Sequence, residues 1–159
     1  MAISKTTTDY TGKRKDISIF QYPDALQIGS QDVAPTFGKN PRFCAGVQKL
    51  IQKYAIVLLT NISSQSEYPD FGTNFLYRMQ SGVAPKDTLL ASQIFYAASH
   101  TTVATLQKYQ VSNPAIPLDE RIASAELVSI SLLGGYVAFA VRITTATGDT
   151  VPFIVPLPK

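Results

Sequence analysis

Glu67 with Asp70, and Asp119 with Glu120, form two close-set pairs of carboxylates. Paired acids of this kind, one protonated and one ionised, are what glycoside hydrolysis needs on either side of the scissile bond. Nearness along the chain does not fix how far apart two carboxyl groups stand, and neither pair falls in an evident sugar-binding pattern. A glycan-cleaving hydrolase using Glu67, Asp70 or Asp119 is therefore the alternative reading, set against adjacent acids on a solvated surface. His100, inside "ASHTT", has no nucleophile-elbow or triad pattern around it and reads as a surface or capping histidine. One His and one Cys, far apart in sequence, do not supply the ligand set of a zinc site. Neither familiar phosphate-cradling glycine loop is present. These residues lead us to expect no enzyme, no metal and no cofactor.

Charge points the same way. The formal net charge is +3, and its excess is concentrated in "GKRK", where Lys13, Arg14 and Lys15 could touch phosphate. A basic cluster this short on a polar arm reads as a solvated tail, so nucleic-acid binding is not expected. With 45% hydrophobic and 16% charged residues, the composition is globular and poor in charge, as suits a surface that hides in an assembly. The longest apolar run, "YAIVLL", falls well short of the roughly 18 residues of a membrane span. No apolar signal-peptide core is visible, and a soluble chain is expected.

The 159 residues are read as one domain: a polar arm over 1–16, then an α+β unit over 17–159. "ISIF" is a short strand candidate, followed by an irregular ordered loop over 21–41. Asn40 and Pro41 announce a first helix running to Thr60, with Phe43, Val47, Leu50, Ile51, Tyr54 and Leu58 on one face and Cys44 a buried thiol within it. A second helix is expected over 85–110, burying Leu90, Ile94, Ala97, Ala98 and Thr101, with "SHTTV" as a place for a break. Beyond Pro117 the period becomes alternating. Val128, Ile130 and Leu132, then Val137, Phe139, Val141 and Ile143, then Val151, Phe153 and Val155 each line one face. Gly134-Gly135 and Gly148 mark hairpins, so two main helices precede a three-stranded antiparallel meander. Pro152 and Pro156 confine its last strand to an edge.

Between the helices, "SEYPDFGTNFLYRM" reads as neither helix nor strand. Pro69 fixes its own φ and Gly72 permits a left-handed conformation, which together define a turn. Its aromatics bring more apolar area than a linker needs. Tyr68, Pro69, Asp70, Phe71 and Gly72 thus have two readings, an internal packing turn or a partner contact.

The longer stretch "KLIQKYAIVLLTNISSQSEYPDFGTNFL" sets an amphipathic helix ending in Leu-Thr before a short loop and Pro-Asp-Phe-Gly-Thr. In this it resembles the baseplate wedge proteins of contractile phage tails, a sheath-initiator family formerly called lysozyme-like and shared with type VI secretion baseplates. The resemblance spans about residues 17–155 and is strongest from Leu58 to Leu76. It implies a structural component of a phage-tail baseplate in the virion, assembled in the host cytoplasm, that docks on the wedge core and initiates tail sheath assembly. In the family a Glu-Pro-Arg motif before the C-terminal strands contacts the wedge core. The matching place here reads "LDERIASAEL", which puts Asp119 at the glutamate, Glu120 at the proline and Arg121 at the arginine. The family's Gly-Glu-Arg run before the turn is replaced by "SSQSEY". The implied partners are wedge-core proteins at Asp119, Glu120 and Arg121, and the tail sheath protein on the strands carrying Val137, Phe139, Val141, Ile143, Val151, Phe153 and Val155. Tail tube or neighbouring baseplate subunits are further implied contacts; no membrane is. Asp119 and Arg121, two apart in an extended segment, would point to one side of a strand, where Arg121 either braces the fold or meets the partner.

Overall fold

The computed structural model describes residues 15–18, 43–81, 87–133 and 136–158, and its architecture is α+β. Apart from Lys15 and Asp16, the arm expected over 1–16 lies outside the described residues, as do the loop over 21–41, the Asn40-Pro41 start and the Gly134-Gly135 connection.

Alternation of apolar and polar side chains builds the C-terminal sheet, with antiparallel order β3-β4-β5: β3 is Ile122–Leu133, β4 Tyr136–Thr145 and β5 Thr150–Pro158. Val137, Phe139, Val141 and Ile143 of the central strand are all buried, as the spacing predicts. Phe153, Val155 and Leu157 extend the same face, with Val151 half-buried beside them. On β3 the expected face is corrected. Register shifts between Ile122 and Ser124 and between Leu127 and Ser129 each flip the phase of the strand. Ile122, Ala125, Leu127 and Ile130 therefore face the core, opposite Thr145, Ile143, Val141 and Phe139. Val128 falls on the irregularity and is 55% exposed, while Leu132, opposite Val137 at the sheet's end, is 44% exposed.

The helices cover one face of this sheet. Helix α1, Val47–Leu59, buries Leu50, Ile51, Tyr54 and Leu58 as expected, but starts later than Pro41. Phe43–Cys44 is instead a strand, β2, paired antiparallel with β1, Asp16–Ile17. Gly46 then takes φ 59 and ψ −133, a conformation that suits glycine and forbids an earlier helical start. Cys44 is buried on a strand rather than a helix, and Phe43 is 59% exposed.

Helix α2, Phe75–Gln80, corrects the reading of the "NFLYRM" end of the loop as irregular. Helix α3, Thr88–Ser112, runs unbroken through "SHTTV" for 25 residues. Its start is fixed by Asp87, whose carboxylate accepts from the Leu89 and Leu90 amides at 2.9 and 3.2 Å. The Thr101 and Thr102 hydroxyls donate to the carbonyls of Ala97 and Ala98, so the β-branched run keeps its polar groups inside the helix. The buried face is Ala91, Ile94, Phe95, Ala98, Ser99, Thr102, Leu106 and Gln110. Ala97 and Thr101, expected inside, are exposed.

Three rings join the layers. Phe75 of α2 meets Phe95 of α3 at 5.8 Å and Phe139 of β4 at 5.3 Å, both edge-on, while Phe95 stacks on Phe139 at 5.5 Å. Beside them the Tyr54 hydroxyl of α1 and Ser99 of α3 share a 2.7 Å hydrogen bond in the interior.

Burial pushes the Tyr54 phenol up to about 12, with the Ser99 bond opposing the rise. Between pH 10 and 12 the unfolded chain has lost this proton while the folded chain keeps it, so Tyr54's contribution is intact below pH 10 and is lost as pH rises toward 12. We expect about 2–3 kcal/mol to disappear across that window in urea denaturation. Lys53, lowered by burial and by Lys49, titrates with the opposite sign. The difference between the native chain and Tyr54→Phe isolates the phenol and should carry the slope.

Candidate functional site

The stretch between α1 and α2 is closed by a single threonine. Thr73 Oγ1 donates to the Leu58 carbonyl at 2.7 Å, one of the groups a helix end leaves unsatisfied, and accepts from the Phe75 amide at 3.1 Å, at the start of α2. Its main chain completes the link: Thr73 N–H donates to Thr60 O at 2.8 Å and Ile62 N–H to Thr73 O at 3.0 Å. Gly72 lies under this bridge at φ +105, where a Cβ would press on the Thr60 carbonyl oxygen. The turn ahead of it is closed by Phe71 N–H donating to Tyr68 O at 3.0 Å, with Pro69 at the position that favours its fixed φ. The two readings of this motif divide by residue. Gly72 is buried and Phe71 packs on the core, whereas Tyr68, Pro69 and Asp70 are exposed.

The Asp119–Arg121 region is not the extended segment expected. Leu118–Glu120 is one 3-10 turn, so Asp119 and Arg121 do not share a strand face. Arg121 Nε donates to Ile116 O at 3.0 Å and Nη2 to Pro114 O at 2.9 Å, bracing the connection that follows α3. Glu120, set at the proline position by the resemblance, is the residue held most deeply. It is 3% exposed, accepts from the Gly46 amide at 3.3 Å and pairs with Lys49 Nζ at 3.3 Å. A carboxylate here meets the positive end of α1. Gln110 of α3 ties the same corner down, donating to Glu120 O at 3.2 Å and accepting from the Ile122 amide at 3.0 Å. Nearby, Gln52 donates to Ile17 O at 2.9 Å and accepts from the Cys44 thiol at 3.5 Å, linking α1 to β1 and β2. Burial, and then Asp16, pushes the Cys44 thiol up, which keeps it protonated and poorly nucleophilic.

The strand positions expected to dock sheath fill the domain's own core. Val137, Phe139, Val141, Ile143, Phe153 and Val155 are buried beneath the helices, so these side chains are not available to a partner, and the sheet offers instead its main-chain edges and its outer face. Because β4 is central, the edges belong to β3 and β5. On β5, Pro152, Pro156 and Pro158 share one parity; directing it outward keeps the ladder to β4 whole. The outward N–H groups left on that parity are those of Thr150 and Ile154. On β3, Gln107 caps the Ala123 carbonyl at 3.2 Å, and the strand beyond is free of proline.

Glu67 and Asp70 lie on the exposed loop and Asp119 and Glu120 on the 3-10 turn. None of the four lines the pocket of about 180 Å³ between the 62–78 region and α3. His100 is exposed on α3. Among the described residues no group of three or more His, Cys, Asp and Glu converges to hold a metal, and no helix is long and apolar enough to cross a membrane. Lys13 and Arg14 lie outside the described residues. Features that sequence reasoning passed over are the Glu120–Lys49 pair, the Thr73 clamp and Arg78; a Thr two residues ahead of an apolar helical turn is the one local cue.

No known protein family, curated protein or solved structure matches the chain.

Gly72→Ala should cost about 1–3 kcal/mol, through the strained φ and the contact with Thr60, read as a lowered urea midpoint. Glu120→Ala should cost more, about 2–4 kcal/mol, because it strands the buried Gly46 amide and the partly buried Lys49 ammonium, whereas Arg121→Ala removes two partly exposed hydrogen bonds and should cost about 1–2 kcal/mol. Parallel denaturation curves of the two variants give the ranking.

Proposed function

We propose that the chain is a structural component of a contractile-tail baseplate that docks on the wedge core and starts the tail sheath. The observation that carries this reading is the clamped unit of α1, Pro-Asp-Phe-Gly-Thr turn and α2 set against a C-terminal antiparallel meander. Those are the segment and the order of elements on which the resemblance rests.

Such a role asks for rigid, addressable edges rather than a reactive cleft. Strand addition draws affinity from unpaired main-chain groups, with register set by alternate side chains. The proline-free part of β3 offers these groups more fully than β5, where three prolines deplete the donors. An incoming arm of the sheath protein is therefore assigned to the β3 edge, beyond the Gln107 cap. Contact with the wedge core falls to the surface around the 3-10 turn. There Asp119 is half-exposed, while Glu120 and Arg121 act from within by fixing its shape.

Removing β5 would take Phe153, Val155 and Leu157 out of the core, so truncation is a poor probe of docking. A cleaner experiment assembles tails from the other structural proteins of the same particle, with and without the full chain, and images them by negative-stain electron microscopy. Tails lacking it should show tubes or baseplates without sheath. Sheath of normal length in its absence would overturn the proposal. Ile154→Pro, which removes one of the two outward donors of β5, should leave sheathing intact if the arm adds to β3.

A further inference from the structure

Helix α3 turns one edge of its apolar face away from the core: Ile94 and Ala98 are buried in it, while Ala97 and Thr101 beside them are exposed. Sequence periodicity places Ile94, Ala97, Ala98 and Thr101 on one buried face, yet the sheet and α1 take the neighbouring face and leave Ala97 and Thr101 uncovered. These residues form one wall of the pocket of about 180 Å³. Ile62, Asn74 and Arg78 are on the other side.

Its size narrows what it can take. Small-molecule and cofactor sites commonly span about 300–1,000 Å³, whereas an apolar cavity of about 150 Å³ holds a single benzene ring. The volume therefore suits one aromatic or leucine side chain. The rim sets the charge. Arg78 is exposed, and it forms no ion pair with a carboxylate among the described residues. Asn74 begins α2 without a side-chain capping bond, which leaves its amide directed at no described partner in that role. The Thr101 hydroxyl is already given to Ala97 O at 3.2 Å, so the α3 wall presents mainly methyl groups.

We propose that this pocket is a peptide-docking site, one that receives a single aromatic or leucine side chain of a partner segment and holds an adjacent acidic residue against Arg78. The apolar side chain covers Ala97 and the Thr101 methyl; the carboxylate meets a guanidinium with matching fork geometry. This site is separate from the sheet edges, and it stands whether or not the chain serves a tail baseplate.

The probe is N-acetyl-Asp-Phe-Asp-amide, titrated into the isotope-labelled full chain and followed by two-dimensional ¹H–¹⁵N NMR, with N-acetyl-Lys-Phe-Lys-amide in parallel. The acidic peptide should give saturable shifts at the amides of Asn74, Arg78, Ala97 and Thr101. It should bind about fivefold more tightly than the basic one, the size of one well-formed exposed charge pair. Arg78→Gln should erase that preference while leaving residual binding of both peptides. Ala97→Phe should fill the pocket and abolish both, with amide shifts elsewhere showing that the fold is retained. Absence of saturable shifts at these amides, equal affinity for the two peptides, or a preference that survives Arg78→Gln would each overturn the assignment.

Discussion

The end of α1 is where this structure is decided. A helix leaves its last carbonyls and its first amides without partners, and a loop that brings the end of α1 against the start of α2 would bury both sets at a cost. Thr73 answers both at once, reaching Leu58 O with its hydroxyl hydrogen and the Phe75 amide with its hydroxyl oxygen. That places Phe75 against Phe95 and Phe139, so α2, α3 and β4 share one aromatic centre. Gly72 is the condition for the arrangement, since any side chain there meets the Thr60 carbonyl. The Pro-Asp-Phe-Gly-Thr run is therefore a packing device first. Only its outer residues, Tyr68, Pro69 and Asp70, remain exposed for contact.

A second polar assembly holds the opposite end of α1. Glu120 closes on Gly46 and Lys49, and Gln110 bonds both main-chain groups around it. Buried polar groups stabilise a fold when every member has a partner and cost heavily when one does not. Here each element contributes: α1 gives Lys49, α3 gives Gln110, and the 3-10 turn gives Glu120. The joint between the helical layer and the first strand of the sheet is thereby specified by geometry, where apolar packing alone would tolerate sliding.

How much of this was legible varies with how purely each element follows its period. In β4 and β5 apolar residues alternate without interruption, and their faces could be read directly. In β3 two register shifts change the phase, and no residue type announces them, so Val128 looks like core and is not. In α3 the buried face holds Ser99, Thr102 and Gln110 while Leu89, Tyr96 and Val111 are exposed. A face read from apolar residues alone is therefore rotated toward Ala97 and Thr101. Helix α2 is too short for any period to emerge. At the expected wedge contact the residue types were visible but their roles were not, because Glu120 is assigned by partners distant in sequence, Gly46 and Lys49, and Arg121 by the Pro114 and Ile116 carbonyls of an irregular connection that no period announces.

The commitment of these charged groups bears on how the domain can recognise anything else. Arg121 is bound to two carbonyls and Glu120 to an amide and a lysine, so engaging a partner through Glu120 would leave a buried amide unsatisfied, and through Arg121 would release the connection it braces. A surface with few charges, whose most conspicuous ionic residues are occupied within, must be read mainly through shape, main chain and apolar contact. The sheet supplies the main chain, more fully at one edge than the other: the prolines of β5 remove donors there, as proteins do to avoid indiscriminate pairing, while the proline-free β3 keeps its own. Specificity then comes less from attraction at many points than from leaving few places where attraction is possible. A two-carboxylate hydrolase would need the reverse: two acids freed from structural work and turned toward one open groove, with their carboxyl groups held at a defined spacing. Glu120 is engaged in holding α1, and Glu67 and Asp70 project from a loop remote in sequence from the 3-10 turn, outside the pocket that α3 lines.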